Sequence, residues 1–284
     1  MQAGLLSGKT SMVTGANSGI GFMISRDLAE IGSNVIMVCR DSSKGEVARR
    51  EIVERTGNKS VELMICDLSS LASVRDLAQR FKETHNRLHE LVNNAGVIMG
   101  KRVVTADDME TTFEVNYLSH FLLTLLLLDT LKASAPSRIV NVSSSAHYSG
   151  RMVFDDLQEE KNYSAMRSYC QSKLAQVLFT HELARKLEGT RVTVNAVHPG
   201  VVRTRWGDEG GAVGIGIRIA RPFMLSPEKG AETPFYVAAS PDVEGKTGKY
   251  WEKKKEKNSS EESYNDNESR LLWVVSTKLA GIDA

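Results

Sequence analysis

A short apolar run, Ser11-Met12-Val13, enters the glycine-rich turn Thr14-Gly15-Ala16-Asn17-Ser18-Gly19-Ile20-Gly21, which opens a helical pattern through Ile31. Few local patterns restrict a chain as strongly as a strand that turns on glycines into a helix. Glycine allows a tight bend and a close backbone approach, and the first amides of a helix lack intrahelical partners and favour negative charge. The turn therefore reads as a pyrophosphate cradle, with Gly15, Asn17, Ser18, Gly19, Ile20 and Gly21 as candidate contacts. Its spacing is G-x-x-x-G-x-G rather than G-x-G-x-x-G. Alone, such a cluster is equally a structural turn, and its place at the head of a βαβ pattern tips it toward a nucleotide.

Strands are predicted at 11–13, 35–39, 61–66, 88–93, 138–142 and 191–197, interleaved with helices at 19–31, 43–55, 71–84, 108–131 and 165–187. This alternation predicts an α/β fold, a single Rossmann-type doubly wound parallel sheet with helices on both faces and a ligand crevice at the strands' carboxyl ends. With 284 residues, 41% of them hydrophobic, the chain can bury a sizeable core as one domain over 1–284. The dinucleotide-binding part spans about 7–145, and a catalytic and substrate-lid part about 146–284.

A net charge of +1 argues for no nucleic-acid partner. Three cysteines, Cys39, Cys66 and Cys170, lie in apolar or helical segments without metal-ligand spacing, so neither a disulfide framework nor a metal site is expected. The longest apolar stretch, Phe121 to Leu128, is far below the ~20 residues of a membrane span, and no signal peptide precedes the first strand. The expectation is a cytoplasmic protein without a transmembrane segment, with peripheral membrane association left open.

Tyr169 and Lys173 stand at i and i+4 and so share a helix face. A free tyrosine, with a pKa of about 10, is a poor proton-transfer group near neutrality, but a neighbouring ammonium favours the phenolate. Tyr169 is thus a candidate general acid/base. On its own the pair also fits a surface helix decoration, and the motifs around it decide between the two.

The ordered set Thr14-Gly15, Gly19-Ile20-Gly21, Asn93-Asn94-Ala95-Gly96, Asn116, Ser144, Tyr169, Lys173 and Pro199-Gly200 resembles the short-chain dehydrogenase/reductase family. Cys39-Arg40-Asp41, the phrase from Arg138 to Ser144, Val197-His198-Pro199-Gly200 and the tail from Leu271 through Leu279 are similar to its retinol dehydrogenase-like branch, and the likeness runs from about residue 7 to 282. The resemblance implies reversible hydride transfer between nicotinamide and a carbonyl or alcohol carbon. Tyr169 would move the proton; Lys173 would lower the tyrosine pKa and hydrogen-bond the nicotinamide ribose. Ser144 would hydrogen-bond the substrate oxygen, and Asn116 would hold a water linking Lys173 to solvent. Within Ser143-Ser144-Ser145 only the family pattern selects Ser144. Asp67 and Leu68 would contact adenine, and Asn94, Ala95 and Gly96 the cofactor ribose. Pro199, Gly200, Val202 and Thr204 would flank the carboxamide side of nicotinamide. His147 and His198 read as structural.

At the end of the second strand, dinucleotide folds commonly place an acid on the ribose hydroxyl, whereas here Cys39 and Arg40 stand there. An arginine clamps a 2′-phosphate well, and Lys44 adds a second positive charge, so NADP(H) is predicted as the preferred cofactor. NAD(H) use is the alternative, with Arg40 an ordinary surface residue and Asp41 on the ribose. The stretch Trp206 to Leu225, glycine-rich with interspersed apolar residues, reads as a mobile lid. Together with Met152, Tyr163 and Met166 it suggests a lipophilic small-molecule substrate, although these residues equally fit a completed core. The run Glu252 to Glu262 reads as a solvated loop. The helices around 116–131 and 165–187 resemble those with which the family forms homodimers or homotetramers, though their apolar faces fit intramolecular packing as well. Relatives in the retinol branch often carry an N-terminal membrane anchor, and this chain starts almost directly at Gly8-Lys9-Thr10, so an aldehyde, ketone, steroid-like or quinone-like substrate is as fitting as retinol. An NADP(H)-binding regulator with little turnover is the second reading; an isomerase or dehydratase on the same scaffold is a third.

Overall fold

In the computed structural model, residues 4–202 and 224–282 are described. Thr204 and most of the predicted lid lie outside the described residues. Strands β1 (Thr10–Thr14), β2 (Asn34–Cys39), β3 (Val61–Ile65), β4 (Glu90–Asn93), β5 (Ser137–Val142), β6 (Val192–His198), β7 (Lys249–Glu252) and β8 (Lys255–Lys257) form one sheet. Its order is β3-β2-β1-β4-β5-β6-β7-β8, and only the β7–β8 pair is antiparallel. After β3 the chain returns to the far side of β1, so strand order reverses between β1 and β4. A crevice opens at such a reversal, outside the carboxyl ends of the strands.

Among the described residues the helices are α1 (Gly19–Glu30), α2 (Ser42–Thr56), α3 (Leu71–Thr84), α4 (Thr111–Phe113), α5 (Ser119–Leu126), α6 (Leu128–Ala133), α7 (Ala165–Lys186), α8 (Pro227–Ala239) and α9 (Asp266–Leu279). Their ends follow local chemistry. Asp41 caps α2 by accepting the Lys44 amide at 3.0 Å, and the helix stops at Gly57 with φ 70°. Ser70 caps α3, accepting from the Ser73 amide at 3.3 Å. Two apolar layers sandwich the sheet. Phe81, Leu91, Phe121, Leu178 and Leu272 belong to one, and Ile24, Leu28, Val35, Met37 and Trp251 to the other.

Two local expectations differ from the structure. Predicted as one helix over 108–131, that segment is broken. Asp108 sits at φ 59°, and the carboxylate of Glu110 caps α4 through the amides of Thr112 and Phe113. Glu114–Leu118 then forms a π turn before α5 begins. Such turns insert one residue, rotate the helix beyond them and gather at functional sites. The run Glu252–Glu262, expected to be a loop, contains β8 and the start of a 3₁₀ turn at Glu261–Tyr264. Short lysine-rich strands are how sheets blunt an exposed edge, and charge of that kind conceals a strand in sequence.

The apolar run after Asn116 faces inward: Phe121, Leu122 and Leu123 are fully buried, and the Phe121 ring packs 5.2 Å from Phe179 of α7 and 5.2 Å from Trp273 of α9. No helix of the described residues is long and apolar enough to cross a membrane. Cys39, Cys66 and Cys170 are free and buried.

Candidate active site

Six of the predicted segments meet because each comes after the carboxyl end of a parallel strand. The cradle comes after β1, Arg40 after β2, Asp67-Leu68 after β3, Asn94-Ala95-Gly96 after β4, Ser144 after β5 and Pro199 to Val202 after β6. The cradle is tied down at both sides. Amides of Gly15 and Ala16 donate to the Val38 carbonyl at 2.9 and 3.2 Å, while Asn94 Nδ2 donates to the Thr14 carbonyl at 2.8 Å. A Cβ on Gly21 would collide with the Gly15 carbonyl and lie 2.5 Å from Asn94 Nδ2; one on Gly19, at φ 58°, would meet nothing within 4 Å. Gly21 thus serves packing, whereas Gly19 borders open space at the helix N-terminus, where a phosphate fits.

A chain of buried hydrogen bonds joins this cradle to the opposite end of the site. Thr14 Oγ1 accepts from the amides of Asn94 (2.9 Å) and Ala95 (3.0 Å), leaving its proton for His120 Nε2 at 2.9 Å. His120 Nδ1 lies 3.0 Å from the Asn116 carbonyl, an acceptor only, so the tautomer is set: Nδ1–H donates to Asn116 and Nε2 accepts from Thr14. The same Asn116 carbonyl accepts from Gln176 Nε2 at 2.8 Å, and Gln176 Oε1 accepts from Lys173 Nζ at 2.9 Å. The Asn116 side chain is fully engaged elsewhere, clasping Val97 (2.7 and 2.9 Å) and donating to Ser172 Oγ at 3.0 Å. The Asn116 carbonyl thus accepts from two protein donors, His120 Nδ1 and Gln176 Nε2. Neither His120 nor Gln176 was singled out in the sequence, although i+4 from Asn116 and i+3 from Lys173 are the helical signals that place them.

Burial pushes His120 down to about 4, and does the same to His147, whose Nδ1–H donates to the Ser144 carbonyl at 2.6 Å while its Nε2 accepts the Ser260 amide at 3.1 Å. The folded pKa values lie below the unfolded value of 6.5. Between these limits the unfolded chain holds more protons, so stability is whole above the unfolded value and falls as pH drops toward 4, by at most about 1.4 kcal/mol per pH unit for each histidine. His120→Gln should be less stable overall yet show a flatter fall between neutral and mildly acidic pH in urea unfolding. An unchanged slope would mean that His120 takes up its proton normally in the fold.

Helix α7 carries Tyr169 and Lys173 to the end of β5. Ser143 turns away, its hydroxyl donating to the Lys173 carbonyl at 2.9 Å, and Ser145 is exposed. Ser144 is the member of the run that hydrogen-bonds Tyr169. Its Oγ accepts the Ala146 amide at 3.2 Å, which leaves the hydroxyl proton to point at the phenol. Lys173 Nζ lies 5.6 Å from the centre of the Tyr169 ring and donates to the Val142 carbonyl at 3.0 Å as well as to Gln176. Contrary to the expected activation, burial raises the Tyr169 pKa above its ordinary value, and the Ser144 hydrogen bond only partly opposes it. Burial pushes Lys173 down to about 7. Desolvation disfavours both charges, so the pair is held close to its neutral forms.

At the outer rim Arg40 is exposed, with no hydrogen bond or ion pair among the described residues. Asp41 is committed to capping α2 and to an ion pair with Lys44 at 3.2 Å. A cavity of about 520 Å³ beside them is lined by Asn17, Ser18, Gly19, Ser43 and Lys44 among others. Asp67 closes a turn on Ser69, accepting from its amide at 3.0 Å and its hydroxyl at 2.7 Å, and the Leu68 carbonyl accepts from Ser119 Oγ at 2.6 Å. Gly200 turns at φ 90°, and Val202 bridges to Leu225 while packing on Gly230 of α8 and toward Ile20.

Comparison with known proteins agrees with a crevice at a strand reversal, a glycine cradle beneath it and a serine, tyrosine and lysine at its side. The family described as short chain dehydrogenase matches residues 9–212. This chain belongs to the short-chain dehydrogenase/reductase family. It falls in the retinol dehydrogenase-like branch: it is 46% identical over 277 residues to human retinol dehydrogenase 12, covering 98% of this chain and 88% of that relative. Among solved structures, an uncharacterised protein from Mycobacterium paratuberculosis is 31% identical with a TM-score of 0.79, covering 98% of this chain and 95% of that one. A short chain dehydrogenase from Burkholderia cenocepacia J2315 in complex with NADP is 26% identical with a TM-score of 0.69, covering 86% and 96%. As a short-chain dehydrogenase/reductase the protein is an oxidoreductase that takes a nicotinamide cofactor, and the sheet and crevice above are those of the family's fold.

Proposed function

We propose that this short-chain dehydrogenase/reductase is an NADP(H)-dependent carbonyl reductase or alcohol dehydrogenase for lipophilic aldehydes, ketones or retinol- and steroid-like alcohols. The observation that carries this reading is the contact of Ser144 with Tyr169 one helical turn from Lys173, at the mouth of the strand-reversal crevice. The residues fit the cofactor: Gly19 leaves open space at the helix N-terminus, and a Cβ on Gly96 would come 3.6 Å from Lys173 Nζ and 3.3 Å from Asn116 Oδ1, so glycine keeps that wall low. Gly15 to Gly21 would hold the pyrophosphate, Asp67 and Leu68 the adenine, Asn94 to Gly96 the ribose, and Pro199 to Val202, with Thr204, the nicotinamide. Bound there, NADP(H) supplies or accepts a hydride at the substrate carbon.

In reduction Tyr169 Oη gives its proton to the substrate oxygen; in oxidation it takes one. The raised tyrosine pKa keeps the phenol protonated, which is the form a donor needs. Ser144 Oγ donates to the same oxygen as charge develops on it. In its protonated form Lys173, one turn from Tyr169 on α7, would stabilise the phenolate left behind. A panel of aldehydes, ketones and retinoids with NADPH, monitored by loss of its fluorescence, tests the reading; binding without turnover of any of them would favour the regulator instead.

Arg40 is the basis for NADP(H) over NAD(H), because it faces solvent without a partner among the described residues while Asp41 is held by α2 and Lys44. A charge-assisted hydrogen bond contributes roughly 1.5 to 3 kcal/mol, or about 10- to 150-fold. Arg40→Ala should reduce kcat/KM with NADPH by that factor and leave NADH nearly unchanged. Equal efficiency with both cofactors before and after the substitution would refute the preference.

A further inference from the structure

His147 and His198 read as structural in the sequence, yet in the fold they grip the two ends of one peptide unit, the one that joins Ser144 to Ser145. His147 Nδ1–H donates to the Ser144 carbonyl at 2.6 Å, and the Ser145 amide donates to His198 Nδ1 at 3.2 Å. The Ser144 carbonyl also accepts the backbone amide of His147 at 3.2 Å, which closes the local turn. The imidazoles reach further. His147 Nε2 accepts the Ser260 amide at 3.1 Å, 113 residues along the chain, and its ring lies 4.1 Å from that of Tyr148 and 4.6 Å from that of Tyr250 in β7. His198 is the last residue of β6, which pairs with β5 through Val142 opposite Val197, so it stands beside the chain as it leaves β5. We propose that His147 and His198 are positioning residues that clamp the Ser144–Ser145 peptide from opposite ends and thereby hold the Ser144 hydroxyl toward Tyr169 and the substrate oxygen.

This rests on the reading of Ser144 as a donor to the substrate oxygen. The clamp acts on the hydroxyl through a short covalent path. Ser144 is extended, with φ −156° and ψ 159°, and ψ sets the angle between its side chain and the clamped peptide. Ser144 Oγ in turn accepts the Ala146 amide at 3.2 Å, one residue beyond that peptide, so a peptide free to rock would take the hydroxyl with it. His198 also leads directly into Pro199-Gly200, the loop assigned to nicotinamide, and thus ties that loop to the serine. Each contact specifies a charge and a tautomer. His147 must carry its proton on Nδ1 and leave Nε2 bare, while His198 must leave Nδ1 bare and carry its proton on Nε2. Both rings are buried, which disfavours the imidazolium that would break either pattern.

The test is a pair of double-mutant cycles on the full-length protein, with NADPH and an aldehyde or ketone that it reduces. His147→Leu and His198→Leu keep the bulk and lose the contact. Each is expected to lower kcat by about 10- to 100-fold, the scale of a small misplacement, while NADPH affinity stays within a few-fold of wild type. In a Ser144→Ala background the same substitutions are expected to cost less than about twofold, because the hydroxyl they hold is gone. A general structural role would cost as much in either background, and equal losses with and without the Ser144 hydroxyl overturn the proposal, as does an unchanged kcat in both single variants. Should a leucine variant fail to fold, wild type decides. Long-range ¹⁵N–¹H spectra of the cofactor-free protein must show His147 protonated on Nδ1 and His198 on Nε2 at neutral pH, and the opposite tautomer or a charged ring at either position overturns the proposal equally. These spectra need no turnover, so the expected tautomers in a protein that reduces no carbonyl would count against the carbonyl-reductase reading alone.

Discussion

Replacing Tyr169 by phenylalanine is expected to lower turnover by ~10²- to 10⁴-fold while NADP(H) binding stays within a few-fold of wild type. The substitution removes one oxygen and keeps the ring, which is 7% exposed and packed on α7 between Ser144 and Lys173. The cradle has no part in that packing, so affinity for the nucleotide should persist. What disappears is the proton source at the substrate oxygen. Neither neighbour replaces it: the Ser144 hydroxyl is far too weak an acid, and Lys173 is anchored on Val142 and Gln176. Steady-state kinetics and NADPH fluorescence titration of the variant give the two numbers. Turnover near that of wild type would end the assignment, and a parallel loss of cofactor affinity would show that the oxygen serves binding instead.

Gly21→Ala is expected to weaken NADPH binding by more than about tenfold and to destabilise even the cofactor-free protein by about 1–3 kcal/mol, the usual range for overfilling a packed site. The added methyl would strike the Gly15 carbonyl and stand 2.5 Å from Asn94 Nδ2. Neither can withdraw cheaply. The Gly15 amide is bound to Val38, and Asn94 Nδ2 is bound to the Thr14 carbonyl, so retreat breaks the ties that shape the cradle. Gly19→Ala makes the informative contrast. Its methyl meets nothing within 4 Å, and its penalty in the empty protein is confined to the strained backbone at φ 58°, roughly 1–2 kcal/mol, while the methyl intrudes on the space reserved for phosphate. Urea unfolding without cofactor should therefore rank Gly21→Ala below Gly19→Ala, with both defective in binding. A Gly21→Ala protein as stable and as tight-binding as wild type would contradict the cradle geometry.

Much of this was legible in sequence because it is written in short-range pattern. The first six strands, the cradle glycines and the Tyr169–Lys173 spacing each occupy a window of a few residues, where alternation, φ requirement or helical period leaves few options. The β7–β8 hairpin was not legible. Its turn residues Lys253 and Lys254 both hold positive φ, at 50° and 60°, where Asn-Gly is the usual signal, and its second strand is exposed and charged. The helix predicted over 108–131 was split by the Glu110 cap and the π turn at Glu114–Leu118, for which the apolar period gives no warning. Spacing brings the ammonium near Tyr169 but says nothing of how much water is lost, and in the fold burial raises the phenol's pKa.

By itself, the order of residues determined the sheet's class, the family and the list of groups that could do chemistry, since periodicity, glycine placement and motif order are local properties of the chain. Only the tertiary structure decided which serine meets the phenol, that Asn116 spends its side chain on Val97 and its carbonyl on His120 and Gln176, and that Asp41 is unavailable while Arg40 is open. These are outcomes of hydrogen bonds between residues tens of positions apart and of burial, which a linear spacing does not contain. Whether a charge is stabilised or suppressed depends on what the fold stacks around it.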